Sequence, residues 1–298
     1  MSSKVMSFSW YGGKYSSLDF VLPQLPQTKQ YIEPYGGSAT VLINRDPSPV
    51  ETFNDLDGDV VNFFEVLRDD SEQLLEKIAL TPYSRGEYEE AAVGDSDDVS
   101  DVERARQFFV SAQQARDGLG QKKRSSNWGY SVGTSRRDRS QKVSAWDYRI
   151  RQLYGIADRL RRVQIENKDA LDVIQRYDRE DALIYCDPPY VRSARETYGE
   201  YENEVSDGEH RELAAVLRSS DGDVAISGYQ CELYEGLFED HGWYRVDGEP
   251  QSLHGGRGKR VESLWLNYEP PHRDVDVGIE SSFPDTVEVS VDHTVEFS

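Results

Sequence analysis

The chain has 298 residues, a formal net charge of −21, 11% aromatic residues and a mean hydropathy of −0.72. Its 18 Tyr, 10 Phe and 5 Trp suffice for a packed core, which excludes disorder throughout, and no apolar run reaches membrane-spanning length. The two cysteines, Cys186 and Cys231, exclude a disulfide framework and a zinc-ligand spacing, and the N-terminus lacks the apolar h-region of a signal peptide, so a metal-free protein of a reducing prokaryotic cytoplasm is expected.

In chain order, short apolar runs alternate with amphipathic segments, the pattern of an α/β fold around a mostly parallel sheet. Strands are expected at Gln30–Glu33, Val50–Phe53, Val163–Glu166, Ala182–Cys186, Asp223–Ser227, Tyr244–Asp247 and Glu262–Asn267. After the glycine turn at Gly36-Gly37, the segment Ala39–Asn44 reads as helical. Asp57 can cap a helix whose Val60, Val61, Phe64 and Leu67 share one face. The next strand comes roughly a hundred residues later, too far for one crossover helix. An inserted module is therefore expected, with helices near Ser71–Ile78 and Asp101–Gln114 and a polar stretch over Gln121–Arg139 that orders on binding a partner. Trp146, Ile150, Leu153, Ala157 and Leu160 then repeat at helical spacing, and Asp207 precedes a helix with Leu213, Ala214 and Leu217 inward. Beyond Tyr268 lie Pro270-Pro271 and an acidic tail whose Val287, Val289, Val291, Val295 and Phe297 suit either a further strand or a loose end.

The charge is unevenly spread. Arg104 to Arg162 holds 15 Lys or Arg against four Asp or Glu, a local net of +11, so the remainder carries −32. A basic island in an acidic chain is an electrostatic footprint for a polyanion, although a solvated helical face is the blander reading. Nine Lys against 25 Arg in so acidic a chain also suits a salt-rich cytoplasm, where self-repulsion is screened. That points to a haloarchaeal or halophilic viral source.

The chemistry concentrates at Asp187-Pro188-Pro189-Tyr190. The preceding Ala-Leu-Ile-Tyr-Cys reads as a buried strand, so the motif sits at a carboxyl end, where open α/β sheets bind ligands. An exocyclic amine such as adenine N6 is a poor nucleophile because its lone pair is delocalised. Two acceptors, the Asp187 carboxylate and the Pro188 carbonyl, aimed at its two hydrogens would localise that pair. Pro188-Pro189 holds the carbonyl in fixed geometry without a competing N–H. Tyr190 offers a flat face for an extruded base. The bland reading is a post-strand turn with a capping Asp. Upstream, Glu33-Pro34-Tyr35-Gly36-Gly37-Ser38 allows close backbone approach to a ligand. Asp55, 19 residues past Gly36, stands where an acid can accept from ribose hydroxyls, or can merely cap the next helix. Trp10-Tyr-Gly-Gly-Lys14 alone is no more than a turn.

Together these segments resemble the Dam-like (D12 class) DNA adenine-N6 methyltransferases over about Phe8 to Tyr268. The resemblance is carried by Trp10-Tyr-Gly-Gly-Lys14, Glu33-Pro-Tyr-Gly-Gly-Ser38, Asn54-Asp55, Asn167-Lys-Asp169, Asp187-Pro-Pro-Tyr190 and Leu264-Trp-Leu-Asn-Tyr268, in the alpha-group order. Ser227-Gly-Tyr229, with Tyr234 and Trp243, leans toward phage-type members. The resemblance implies a Rossmann-like sheet that takes S-adenosyl-L-methionine and an inserted, mainly helical target-recognition domain. It implies cofactor contacts from Trp10, Lys14, Tyr35, Gly36, Asp55, Asp169 and Asp187, and a double-stranded DNA substrate whose adenine is flipped out for methylation. The expected division is a catalytic domain in two parts, 1–68 and 146–268, around a recognition insert, 69–145, with the tail at 269–298.

Lys122, Lys123, Arg124, Arg136, Arg137 and Arg139 are the expected phosphate contacts, and Asn127 the candidate base-edge reader. His210 reads as a surface or capping histidine, and His254–Arg260 as a hairpin loop or a phosphate tracker. A monomer is expected, solitary or paired with a cognate restriction enzyme. Two other readings stay open: an RNA adenine or other amino-group methyltransferase, and a catalytically silent DNA-binding relative.

Overall fold

The computed structural model describes residues 4–93, 99–116, 127–133, 135–136, 138–191, 206–252 and 259–271. Lys122, Lys123, Arg124 and Arg137, residues 253–258 and the acidic tail from 272 lie outside the described residues, and of Arg136 the backbone alone is described.

The strands are β1 (Gln30–Glu33), β2 (Val50–Asn54), β3 (Ser135–Arg136), β4 (Arg139–Ser140), β5 (Val163–Glu166), β6 (Ala182–Cys186), β7 (Asp223–Tyr229), β8 (Tyr244–Ser252) and β9 (Lys259–Leu266). Between them run α1 (Leu18–Val21), α2 (Thr40–Asn44), α3 (Gly58–Asp69), α4 (Ser71–Leu80), α5 (Arg85–Val93), α6 (Asp101–Gln114), α7 (Gln141–Leu160), α8 (Ala170–Tyr177), α9 (Asp207–Arg218) and α10 (Glu232–Leu237). Seven strands form one sheet in the order β5-β2-β1-β6-β7-β9-β8, while β3 and β4 pair apart from it. The sheet is parallel except for β9, which runs antiparallel to both β7 and β8. This is the α/β architecture with a mostly parallel sheet that the alternating pattern predicts, and the Rossmann-like sheet that the family resemblance implies. β8 and β9 outrun the predicted strands because they pair as one long hairpin, whose register shifts between Asp247 and Pro250.

Side-chain alternation along the strands divides the core in two. On β6, every residue of which is buried, Leu183 and Tyr185 join Phe53, Phe63 and Phe64 on one face of the sheet. Ala182, Ile184 and Cys186 join Val173, Leu213 and Trp265 on the other. Both faces are thus covered, as a parallel sheet requires: α3, α4, α6 and α7 on the first, and α8, α9 and α10 on the second. Within the expected insert, Leu74, Leu75 and Ile78 of α4 and Phe108 and Phe109 of α6 belong to the first of these clusters. The Phe109 ring stacks on Phe63 at 5.8 Å and packs against Trp146 of α7 at 5.2 Å.

Local chemistry explains the helix ends. The Asp57 carboxylate accepts from the Asp59 amide at 2.8 Å, as the sequence suggests. For α9 the cap is Ser206 rather than Asp207, which is the first helical residue. Ser206 and Glu209 satisfy each other's backbone amides in a reciprocal pair. Among the described residues no helix is long and apolar enough to cross a membrane, and no group of His, Cys, Asp and Glu is arranged to hold a metal ion.

A buried ion cluster ties α7 to the first face. Glu51 on β2 is fully buried and receives both Arg159 guanidinium nitrogens, at 2.5 and 2.7 Å, while Arg45 Nη1 lies 3.5 Å away. The second Arg159 nitrogen also donates to the Leu42 carbonyl at 3.0 Å. Removing one partner of such a pair leaves a carboxylate without its main counter-charge. Arg159→Met should therefore lower the unfolding free energy by about 3 kcal/mol in urea titrations. A change below about 1 kcal/mol would mean that Arg45 and Arg162, whose Nε lies 3.8 Å from Glu51, together balance it.

Candidate active site

The chain leaves β1 toward β2 and β5, returns at β6 and continues toward β7. The strand order therefore reverses between β1 and β6, the switch point where open α/β sheets bind ligands. Ile32 lies opposite Ile184, so Glu33 and Asp187 emerge together at the carboxyl edge. A cavity of about 450 Å³ opens there, within the range of a small-molecule site. Trp10, Lys14, Tyr35, Gly36, Asp55, Asp169, Asp187, Pro188 and Pro189 all line it. The expected cofactor residues are thus brought to one place from five separate segments.

The glycine turn is packed tightly against two aromatic rings. A Cβ on Gly36 would fall 2.0 Å from the Phe53 ring, and Gly37 has φ +49° with the Trp10 indole against it. The Asp55 carboxylate orders this turn, with one oxygen accepting from the Gly37 amide at 2.7 Å and the other from the Asp57 amide at 2.9 Å. Asp55 is not the helix cap that the sequence also allows: α3 is capped by Asp57, and Asp55 orders the loop before it. Asn54 holds the neighbouring loops. Its amide donates to the carbonyls of Pro34 and Lys168 and its oxygen accepts from the Lys168 amide. Asp169 lies on the cavity wall and caps α8 through the Leu171 amide at 2.8 Å.

Glu33 and Asp187 line the cavity, and Glu262 lies behind them against Lys14. The Lys14 ammonium, 4% exposed, lies 2.6 Å from Asp187 Oδ2 and 3.4 Å from Glu262 Oε1, and donates to the Gly12 carbonyl at 3.1 Å. It also lies 5.0 Å from the centre of the Tyr190 ring. Asp187 keeps 18% of its side chain exposed, and it lines the cavity. Burial among its neighbours and the Glu262 charge nonetheless raise its pKa to about 6, against the lowering pull of Lys14. Glu33 is buried more deeply still. Burial, with the Asp187 charge, lifts it to about 8, even though the Tyr31 hydroxyl donates to it at 2.7 Å. The Tyr190 hydroxyl donates to Glu262, and its ring meets Tyr229 edge-on at 4.6 Å.

Outside this cluster the arrangement is plainer. Asn127 is exposed and its carbonyl accepts from the Arg116 amide at 2.7 Å. The Arg139 side chain is 63% exposed and pairs with Asp147 at 2.7 Å. Several other cations of the basic island turn inward. Arg106 pairs with Glu87 and Glu103, Arg149 donates to the Met6 carbonyl, and Arg159 holds Glu51. His210 is not at the surface: it is 1% exposed and its Nδ1 sits 3.1 Å from the Tyr234 hydroxyl. The residues missed in the sequence are Glu33 as a buried, protonated wall and Glu262. A signal existed for both, because Tyr31 and Glu33, like Glu262, Leu264 and Leu266, alternate onto one face of a buried strand.

A family model described as D12 class N6 adenine-specific DNA methyltransferase matches residues 10–249. A DNA adenine methylase of Salmonella typhimurium is 24% identical over 271 residues, 88% of this chain and 94% of that protein. A DNA N-6-adenine-methyltransferase of Escherichia phage P1 is 32% identical over 68 residues, 23% of this chain and 9% of that protein. Among solved structures, the precorrin 8W decarboxylase of Methanobacterium thermoautotrophicum aligns over 84% of this chain and 86% of its own. Its TM-score is 0.34 at 8% identity, too low to bear on fold or function.

The Glu33 pKa has a consequence for stability. Between pH 4.5, its ordinary value, and about 8 the folded chain holds a proton that the unfolded chain has lost, so stability falls as pH rises through this window. Glu33→Gln should flatten that fall in urea titrations at pH 5 and 8, compared with the parent. An unchanged slope would place an ionised Glu33 in the folded protein.

Proposed function

The chain belongs to the D12 class of N6 adenine-specific DNA methyltransferases, and from that premise we propose how its residues share the work of methylating adenine in DNA. The cofactor is S-adenosyl-L-methionine, which when bound supplies a methyl group on a sulfonium. The cavity suits it. Gly36 and Gly37 let the turn pack tightly against Phe53 and Trp10 at the cavity edge, and the wall carries Asp55, Asp169 and Asp187 to face a cation. Trp10, Lys14, Tyr35, Gly36, Asp55 and Asp169 hold the cofactor in this reading, and Asp187 borders both cofactor and base.

The observation that carries the reading is the position of Asp187. With Oδ2 engaged by Lys14, its remaining acceptor capacity faces a cavity at the switch point. Asp187 and the Pro188 carbonyl accept from the two N6 hydrogens of a flipped adenine, which localises the nitrogen lone pair. Pro188-Pro189 fixes the carbonyl, and Tyr190 receives the base on its ring. Most of the rate enhancement then comes from positioning and from stabilising charge that grows on N6. Ionised Asp187 is the working form, so single-turnover methylation falls as pH drops through about 6.

The segment 69–145 serves as the target-recognition region, with Asn127 at a base edge and Lys122, Lys123, Arg124, Arg136, Arg137 and Arg139 on phosphates. With several island arginines committed to internal pairs, base contacts and shape carry more of the affinity than charge counting suggests. That division suits a halophilic setting, where phosphate contacts weaken steeply with salt. Such a protein should gain thermal stability as KCl rises from low to molar concentration. Best stability in low salt would remove the halophilic reading while leaving the activity reading intact.

The decisive test is expression in a host free of adenine methylation, followed by sequencing of its DNA for N6-methyladenine. The expected result is methylation at one defined sequence, lost by roughly a thousandfold or more in Asp187→Ala while DNA binding persists. Near-normal methylation by Asp187→Ala would overturn the role given to that residue.

A further inference from the structure

We propose that Glu262 is a positioning residue for the reaction: paired across the sheet with Tyr229, it clamps the Tyr190 ring in the orientation that receives the adenine. The inference rests on the reading above, in which Tyr190 stacks on the base.

The need for a clamp follows from covalent geometry. Pro188 and Pro189 have fixed φ, so the backbone is stiff as far as Tyr190. They do nothing to fix the Tyr190 χ1, on which the plane of the ring depends. That constraint must come from outside the motif, and two strands supply it. In the antiparallel register of β7 and β9, Tyr229 lies directly opposite Glu262. Both touch Tyr190. The Glu262 carboxylate accepts the phenol proton, and the Tyr229 ring meets the Tyr190 ring at 80°. The Glu262 side chain is 11% exposed and Tyr190 6%, so little water competes for the hydroxyl.

A third contact selects the face. The Lys14 ammonium lies over the Tyr190 ring, 5.0 Å from its centre, held there by Asp187 and Glu262 together. In the reading above, the base therefore takes the opposite face. Glu262 therefore acts twice on the same ring, through the hydroxyl and through the cation.

Asp187 is faced by Lys14, Glu262, Glu33, Tyr185 and Tyr190. The Glu262 charge raises its pKa, and the Tyr190 hydroxyl lowers it. Glu262 and Tyr190 substitutions should therefore move the acid limb of the rate in opposite directions, which loss of packing alone would not do.

The experiment is single-turnover methylation of an adenine-containing duplex at saturating cofactor, with a pH series, for the parent, Glu262→Gln, Tyr190→Phe and the double variant. At pH 8, Glu262→Gln should slow transfer by at least tenfold, and up to about a hundredfold if the ring moves by an ångström. Its acid limb should shift to lower pH and that of Tyr190→Phe to higher pH. In the Tyr190→Phe background, adding Glu262→Gln should change the pH 8 rate by less than twofold. Parent-like rate and pH profile in Glu262→Gln, or full additivity in the double variant, overturns the inference. Should Glu262→Gln fail to fold, Tyr190→Phe decides alone: an undiminished rate overturns the clamp, and a tenfold loss upholds it. An inactive parent would instead overturn the activity reading.

Discussion

The site depends on one buried contact, the 2.6 Å pair between the Lys14 ammonium and Asp187. Three carboxylates converge where β1 and β6 part, and desolvation makes Glu33 and Asp187 costly to ionise. Lys14 comes from a turn near the N-terminus, Asp187 from the end of β6 and Glu262 from β9. Segments from opposite ends of the chain are thereby fixed to one another by charge. Glu33, lifted to about 8, shows the limit of that balance. The cation holds Asp187 near 6, but the deeper carboxyl keeps its proton at neutral pH.

The sheet makes the convergence available. Because successive β6 side chains point to opposite faces, the strand is buried on both sides and only its end is free for chemistry. The first face carries α3, α4, α6 and α7 in one continuous core. Whatever the residues between β2 and β5 do with DNA, α4 and α6 are anchored to the catalytic sheet by the same aromatic packing that positions Trp10 against Phe8 and Phe108. The cofactor-side wall and the helices before the basic stretch thus share a rigid foundation.

Most of the fold was legible in the sequence because its signals are local. Seven apolar runs mark the seven strands of the main sheet, and α6 has its predicted bounds. The Asp-Pro-Pro-Tyr motif and the glycine turn announce themselves through residue types with few alternative uses. What was not legible depends on distant partners. Ser206 caps α9 only because Glu209 closes the reciprocal pair. His210, polar and next to a helix start, is buried because the Tyr234 hydroxyl from another helix gives its Nδ1 a hydrogen-bond partner. Charge counting over Arg104–Arg162 could not separate Arg106, Arg149 and Arg159, which face inward, from exposed Arg139. Glu262 was hidden for the same reason: its meaning lies in the residue across the sheet.

Burying a lysine, two acids and a tyrosine at one strand end is a poor way to stabilise a protein, since each group loses hydration that pairing only partly returns. An apolar cluster of equal volume would hold β6, β7 and β9 together at least as well. The polar arrangement makes sense as preorganisation. Groups already desolvated and hydrogen-bonded need little rearrangement when charge develops beside them. Tyr190 is held at its hydroxyl, its edge and one face, so the cost of ordering it is met during folding and not again at each turnover. The same holds for the Pro188 carbonyl, fixed by its own ring and its neighbour's. A site so constrained has one principal freedom left, the entry of the base, and that is where the recognition region must supply its selectivity.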